Sequence, residues 1–313
     1  MKKFIYNFIL LCSILLFVSI FIEIGLLYRT NTHSYKHQYV MSHRNDIHIL
    51  LMGNSHIFDG LIPDSMGFGV FNTAVSGRPY IYDNELIKQY VPMLNNLEAV
   101  IVPLDYFSFY LGREYQNPRV IGKQKNGNMM NSTHKCMHYK YMNVKADFWY
   151  WSELLNSKMN FMSRFVKSAE ETRECDSLGF RRNKLAKRKK GWKTGSLPLL
   201  INAKKPIVKQ KYNVLEEAYS SMASVTLEKN VRLILVGTPL YKTYHEDINK
   251  YVVIEIKEFA KKLQKKYPNV EYYDYTFDSR FKDDDFNDAG HLSELGAAKF
   301  SKIMKEVIEN HAQ

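Results

Sequence analysis

A serine hydroxyl attacks a carbonyl only when a base removes its proton, and that base needs an acceptor to fix its tautomer. The sequence supplies all three residue types in two short blocks. Ser55 closes Leu51-Met52-Gly53-Asn54-Ser55-His56, directly after a continuous apolar run. Asp288 and His291 stand three apart in Phe286-Asn287-Asp288-Ala289-Gly290-His291-Leu292. In that spacing the carboxylate can hold one ring nitrogen while the other faces the serine. Each block alone has a plainer reading: Gly-x-Ser after a strand is commonly a tight turn with a capping serine, and Asp-x-x-His decorates many surfaces. Together they define a candidate nucleophile, base and orienter for acyl chemistry.

Such a serine must sit at the carboxyl end of a buried strand, where ligands bind in open α/β sheets. Backbone N–H groups there point outward and can hold a developing oxyanion. Residues 47–52, 68–72, 99–104, 231–237 and 269–274 read as short strands that are largely apolar. Helical spacing marks 84–94, 216–229, 248–266 and 293–310. Buried strands alternating with amphipathic helices predict a three-layer α/β/α sandwich with a parallel sheet. From 111 to 212 the alternation breaks. That stretch holds Trp149, Trp151 and Trp192 and reads as a long, partly helical insertion capping the active face.

The N-terminus has a different character. Lysines 2 and 3 precede an apolar run from Phe4 to Ile22 that continues past Glu23 to Tyr28. About twenty helical residues cross a hydrocarbon core of ~30 Å. Residues 1–28 therefore read as a transmembrane signal anchor, with a cleaved signal peptide and a buried core helix as alternatives. Residues 29–46 read as a polar juxtamembrane linker, and 47–313 as the α/β domain. The net charge is +12, but twelve Lys/Arg and no acid fall between Ser177 and Leu215, so the remainder is neutral. The run from Arg181 to Lys190 fits a solvated face, anionic headgroups or a charged polymer better than nucleic acid on a body outside the cytoplasm. Cys136 and Cys175 could close a disulfide loop of about forty residues or stay as thiols. His134, Cys136 and His138 lack the second cluster a structural metal needs. No metal and no cofactor are expected.

Gly53-Asn54-Ser55 in the first strand-turn, Gly77 in a second block and Asp288-x-x-His291 near the C-terminus resemble the SGNH/GDSL hydrolase superfamily, over roughly 45–108 and 213–310. The anchor makes the chain similar to the bacterial extracytoplasmic branch, which includes proteins of exopolysaccharide O-acetylation and teichoic acid D-alanylation. The resemblance implies a flavodoxin-like sheet, Ser55 as nucleophile, His291 as base, Asp288 as its orienter, and the N–H groups of Ser55 and Gly77 as oxyanion hole. It also implies an acylated cell-surface polysaccharide as substrate, and an integral-membrane acyl donor if the reaction is a transfer. Two departures stand out. The third block, Val102-Pro103-Leu104-Asp105-Tyr106-Phe107-Ser108, lacks the family's Asn, and an ionised Asp105 would repel an oxyanion. Asn54-Ser55-His56 replaces Asp-Ser-Leu, making Asn54, His56 and Asp105 candidate substrate contacts. These departures support a second reading: a catalytically weak or inactive relative that binds glycan or assists assembly in the cell envelope.

Overall fold

The computed structural model describes residues 1–27, 31–78, 80–110, 173–193, 209–247 and 250–310. It divides into two units: Met1–Tyr35 with Gln124–Glu174, and Lys36–Lys123 with Cys175–Gln313. The first unit contains α1 (Lys2–Leu27), a helix of 26 residues with apolar side chains exposed along most of its length. By length and composition it can cross a membrane.

The second unit is built on five strands: β1 (Ile49–Leu51), β2 (Val70–Asn72), β3 (Ala99–Pro103), β4 (Arg232–Gly237) and β5 (Val270–Asp274). They pair in parallel in the order β2-β1-β3-β4-β5. Apart from Asn72 the side chains of β1, β2 and β3 are apolar, and every position is buried. That is the pattern of a sheet covered on both sides. Helices supply the cover: α2 (Thr32–Ser42), α3 (Ser55–Phe58), α4 (Pro63–Met66), α5 (Tyr80–Tyr90), α6 (Tyr106–Tyr110), α7 (Lys209–Glu228), α8 (Lys242–Asp247), α9 (Lys250–Lys266) and α10 (Glu294–Glu309). Right-handed crossovers put the β1-to-β2 connection on one face and the connections running the other way on the opposite face. The packing agrees: α10 meets α4, while α5 meets α7, and α7 and α9 both meet α6. This is the expected α/β sandwich, a parallel sheet flanked by helices.

The order in which strands are added to the sheet reverses between β1 and β3. Their carboxyl ends therefore open the crevice in which sheets of this order bind ligands. Ser55 follows β1 and Asp105 follows β3.

Three differences from the sequence reading have physical causes. Residues 29–46 look like a linker by polarity, yet 32–42 are helical and bury Lys36 and Val40. Lys36 donates to the carbonyls of Ala74 (2.5 Å) and Gly179 (2.8 Å), and its ammonium lies over the Phe58 ring. Burial holds its pKa down at about 7. Within the stretch read as an insertion, 175–193 belong to the α/β unit and α7 begins at Lys209. Finally, Asp288 and His291 flank a small antiparallel hairpin, β6 (Phe286–Asp288) and β7 (His291–Leu292). Residues 111–172 and 194–208, including Cys136 and the His134 to His138 alternation, lie outside the described residues.

Candidate active site

The turn after β1 is shaped by steric necessity. Gly53 has φ of +120°, and a Cβ there would lie 2.4 Å from the Pro103 ring. Only glycine fits a backbone in that conformation so close to β3. Asn54 is extended and caps α3, its Oδ1 accepting from the His56 N–H at 2.9 Å. Ser55 is thereby the first residue of α3, half-buried. With Asn54 buried and its Oδ1 committed to the cap, its visible role is to shape the serine turn.

The second block arrives on the hairpin. Asp288 Oδ1 accepts the N–H groups of Gly290 (2.8 Å) and His291 (2.9 Å), closing the turn with its own side chain. The same carboxylate meets His291 Nδ1 at 2.8 and 2.9 Å. His291 Nε2 then lies 2.8 Å from Ser55 Oγ. Ser55, His291 and Asp288, separated by more than two hundred residues, thus form one continuous hydrogen-bonded chain.

The electrostatics follow this geometry. Burial would raise the Asp288 pKa, but the bond and charge of His291 and the two backbone N–H groups hold it below the ordinary carboxylate value. Burial would likewise lower the pKa of His291. The Asp288 bond and charge, helped by Asp59 and opposed by Arg181, carry it above the ordinary imidazole value. A carboxylate that stays charged and an imidazole with raised proton affinity suit a base that takes a serine proton.

Gly77 sits with φ of +68° in a turn closed by the Arg78 N–H donating to the Val75 carbonyl at 3.3 Å. That turn is joined to the serine turn, because the Val75 N–H donates to the Gly53 carbonyl at 3.1 Å. The two glycine turns are therefore neighbours, as backbone donors for one oxyanion must be.

His56 and Asp105 form a second imidazole–carboxylate pair beside the first. His56 Nδ1 meets Asp105 Oδ2 at 2.7 Å, with both side chains buried. The other Asp105 oxygen accepts from the N–H (3.0 Å) and hydroxyl (3.2 Å) of Ser108, capping α6. Burial would raise the Asp105 pKa, but these bonds and the His56 charge keep it below the ordinary value. Asp105 is thus ionised, with its oxygens directed at His56 and Ser108. The His56 ring meets the His291 ring edge-on at 5.4 Å. Replacing His56 by alanine would leave a buried carboxylate oxygen without its hydrogen-bond partner. The expected result is a loss of about 1–3 kcal/mol in urea unfolding at neutral pH. Because the Asp105 pKa is lowered, the stability it contributes is present above about pH 4 and fades as pH falls below that.

Sequence reasoning missed the segment 176–193. Arg181 makes a two-pronged ion pair with Asp59, both contacts at 2.7 Å, and Asn183 adds a third bond to that carboxylate at 2.9 Å. The Asn183 carbonyl accepts from the Glu294 N–H at 2.9 Å, at the start of α10. Arg188 donates to the carbonyls of Asp283 (2.8 Å) and Phe286 (3.2 Å), and Lys193 pairs with Asp283 at 2.7 Å. Asp59 ends the helix that begins with Ser55, and Asp283 and Phe286 lead into the His291 hairpin. Arg181 and Arg188 of the basic run, with Asn183 and Lys193, therefore strap the two halves of the triad together. Asp283, Asp284 and Asp285 are the acids this strap and Lys299 engage. The buried tyrosines 80, 82 and 106 belong to the core, where Tyr80 packs against Tyr219. Among the described residues no group of His, Cys, Asp and Glu is arranged to hold a metal.

No protein-family model matches the sequence, and no curated protein matches it. Among the solved structures that align, one covers 96% of this chain and 98% of its own, at 9% identity and a TM-score of 0.43: "The structure of a putative platelet activating factor from Streptococcus pneumonia". At that similarity the assignment of fold rests on the strand order and pairing seen in this chain.

Proposed function

We propose that this protein is a serine-dependent esterase or acyltransferase of the SGNH/GDSL type. In this reading it acts through an acyl-Ser55 intermediate on an O-acylated polysaccharide at the cell surface. The observation that carries the proposal is the Ser55–His291–Asp288 chain, with its 2.8 Å contacts on both sides of the imidazole. His291 takes the serine proton as Oγ attacks the acyl carbonyl. The tetrahedral oxyanion is met by the N–H groups of Ser55 and Gly77, and the departing alkoxide recovers the proton from His291. Water or a sugar hydroxyl, deprotonated in turn by His291, then releases the acyl group from Ser55. The carboxylate of Asp105 does not oppose the oxyanion in this scheme, because its oxygens are bound to His56 and Ser108.

The surface location and the polysaccharide substrate rest on α1 as a membrane anchor, with the α/β body outside the cytoplasm. A transferase would draw its acyl group from an integral-membrane donor partner. Nucleic acid is not part of this scheme, in which the body lies outside the cytoplasm and the exposed lysines of the basic run face anionic headgroups or a charged polymer.

The test is covalent labelling of the full-length protein in detergent by a fluorophosphonate, which reacts only with an activated serine. Wild type is expected to label, and Ser55→Ala to remain unlabelled. A folded wild type that takes no label would favour the glycan-binding or assembly role instead.

A further inference from the structure

The two turns that carry the proposed oxyanion donors share a buried device that the reaction scheme does not use. Arg78 follows Gly77 directly, and Asp83 lies in the first turn of α5. Their side chains are 3% and 2% exposed, and Nε and Oδ1 meet at 2.7 Å. The backbone N–H of Gly53, the residue that begins the serine turn, also faces the Asp83 carboxylate and favours its charged form. One acid therefore engages both turns: the serine turn at the Gly53 N–H, and the Gly77 turn through the adjacent arginine. The Gly53 carbonyl closes the loop by accepting from Val75.

Stability alone gives no reason for this arrangement. Desolvating a buried ion pair costs several kcal/mol per ion, and well-packed apolar replacements are often neutral or better. The cost is visible in two ways. Burial pushes the Asp83 carboxyl up to about 6 despite Arg78 and the Gly53 N–H. The Arg78 Nε and Nη2 and the Asp83 Oδ1 are buried yet make no well-directed hydrogen bond, so the charges touch out of line. A costly pair tied to two catalytic turns is best explained by what it holds in place.

We propose that Arg78 and Asp83 are positioning residues that set the spacing between the Ser55 and Gly77 N–H groups. This rests on the acyl-transfer reading above. Neither side chain touches substrate. Each acts through the backbone, where a displacement of about 1 Å can cost on the order of 10²-fold in rate.

The test uses the full-length protein in detergent with p-nitrophenyl acetate as the ester. Asp83→Asn keeps an acceptor for Gly53 but releases the arginine, so kcat should fall about tenfold with KM nearly unchanged. The Arg78→Met/Asp83→Leu double variant loses both links. Its kcat should fall about 100-fold, while its unfolding midpoint stays near wild type. The acid limb of the pH profile should not move in either, because His291 is untouched. Amide exchange over 52–56 and 75–78 should accelerate in the double variant, a readout independent of activity. A folded double variant with wild-type kcat and exchange would overturn the proposal. If the double variant does not fold, kcat within twofold of wild type in Asp83→Asn would overturn it. Accelerated exchange with an inactive wild type would support the clamp while removing the acyl-transfer reading it was meant to serve.

Discussion

Replacing His291 by alanine is expected to lower kcat for ester hydrolysis by about 10⁵-fold, and Ser55→Ala should lower it as far. The reason is the length of one hydrogen bond. With Nε2 at 2.8 Å from Oγ, the imidazole can accept the serine proton as the carbonyl is attacked. Without it the hydroxyl stays protonated. The double variant should be no slower than either single, because nucleophile and base act as a unit and neither contributes without the other. Residual turnover would come from binding and the backbone donors alone. The measurement is steady-state hydrolysis of a small ester, with unfolding curves showing that each variant is folded. If His291→Ala retained more than a tenth of wild-type kcat, another group would be the base. His56, whose ring lies 5.4 Å from that of His291, would be the first to test.

The parts of this site that could be read in the sequence are those whose physics is local. A run such as Ile49-Leu50-Leu51 can only be buried, and the Gly-Asn-Ser that follows can only be a turn, so β1 and the position of Ser55 come from neighbouring residues. Asp288 and His291 are three apart, so their contact is also local, although the hairpin that frames them is too short for periodicity to register. What could not be read is what depends on distant partners. The Asp105 that looked hostile to an oxyanion is matched to His56, 49 positions away. Arg181 reads as one more charge in a basic run until the fold sets it against Asp59, 122 positions earlier. Lys36 sits in a polar stretch, and nothing in its composition says that two carbonyls will bury it. Long-range pairing of charges leaves no periodic trace, so the surroundings of the local Asp288–His291 pair became legible only in the fold.

The electrostatics lead to the second large effect. Asp288→Asn should lower kcat by about 10⁴-fold while leaving Ser55 and His291 in place, because an amide cannot hold the imidazole in the tautomer that accepts at Nε2. It should also move the pH profile, and the sign can be worked out. Activity requires neutral His291, so it is lost as pH falls through that pKa. In wild type the Asp288 charge carries the pKa above the ordinary imidazole value, against the effect of burial. The acid limb should therefore lie above about pH 6.5. With the charge removed, burial is left to dominate, and the limb should shift to lower pH even as the plateau drops. Stability should move oppositely in wild type. A histidine with raised folded pKa contributes stability that is full below about pH 6.5 and is lost as pH rises through the folded value. Wild type should thus lose unfolding free energy over the same interval in which it gains activity, and Asp288→Asn should show less of that loss. Kinetics and urea unfolding over one pH series test both. An acid limb that stayed in place in Asp288→Asn would mean that a group other than His291 titrates it. Activity and stability crossing in opposite directions, both damped by one amide, would tie them to the same proton on His291.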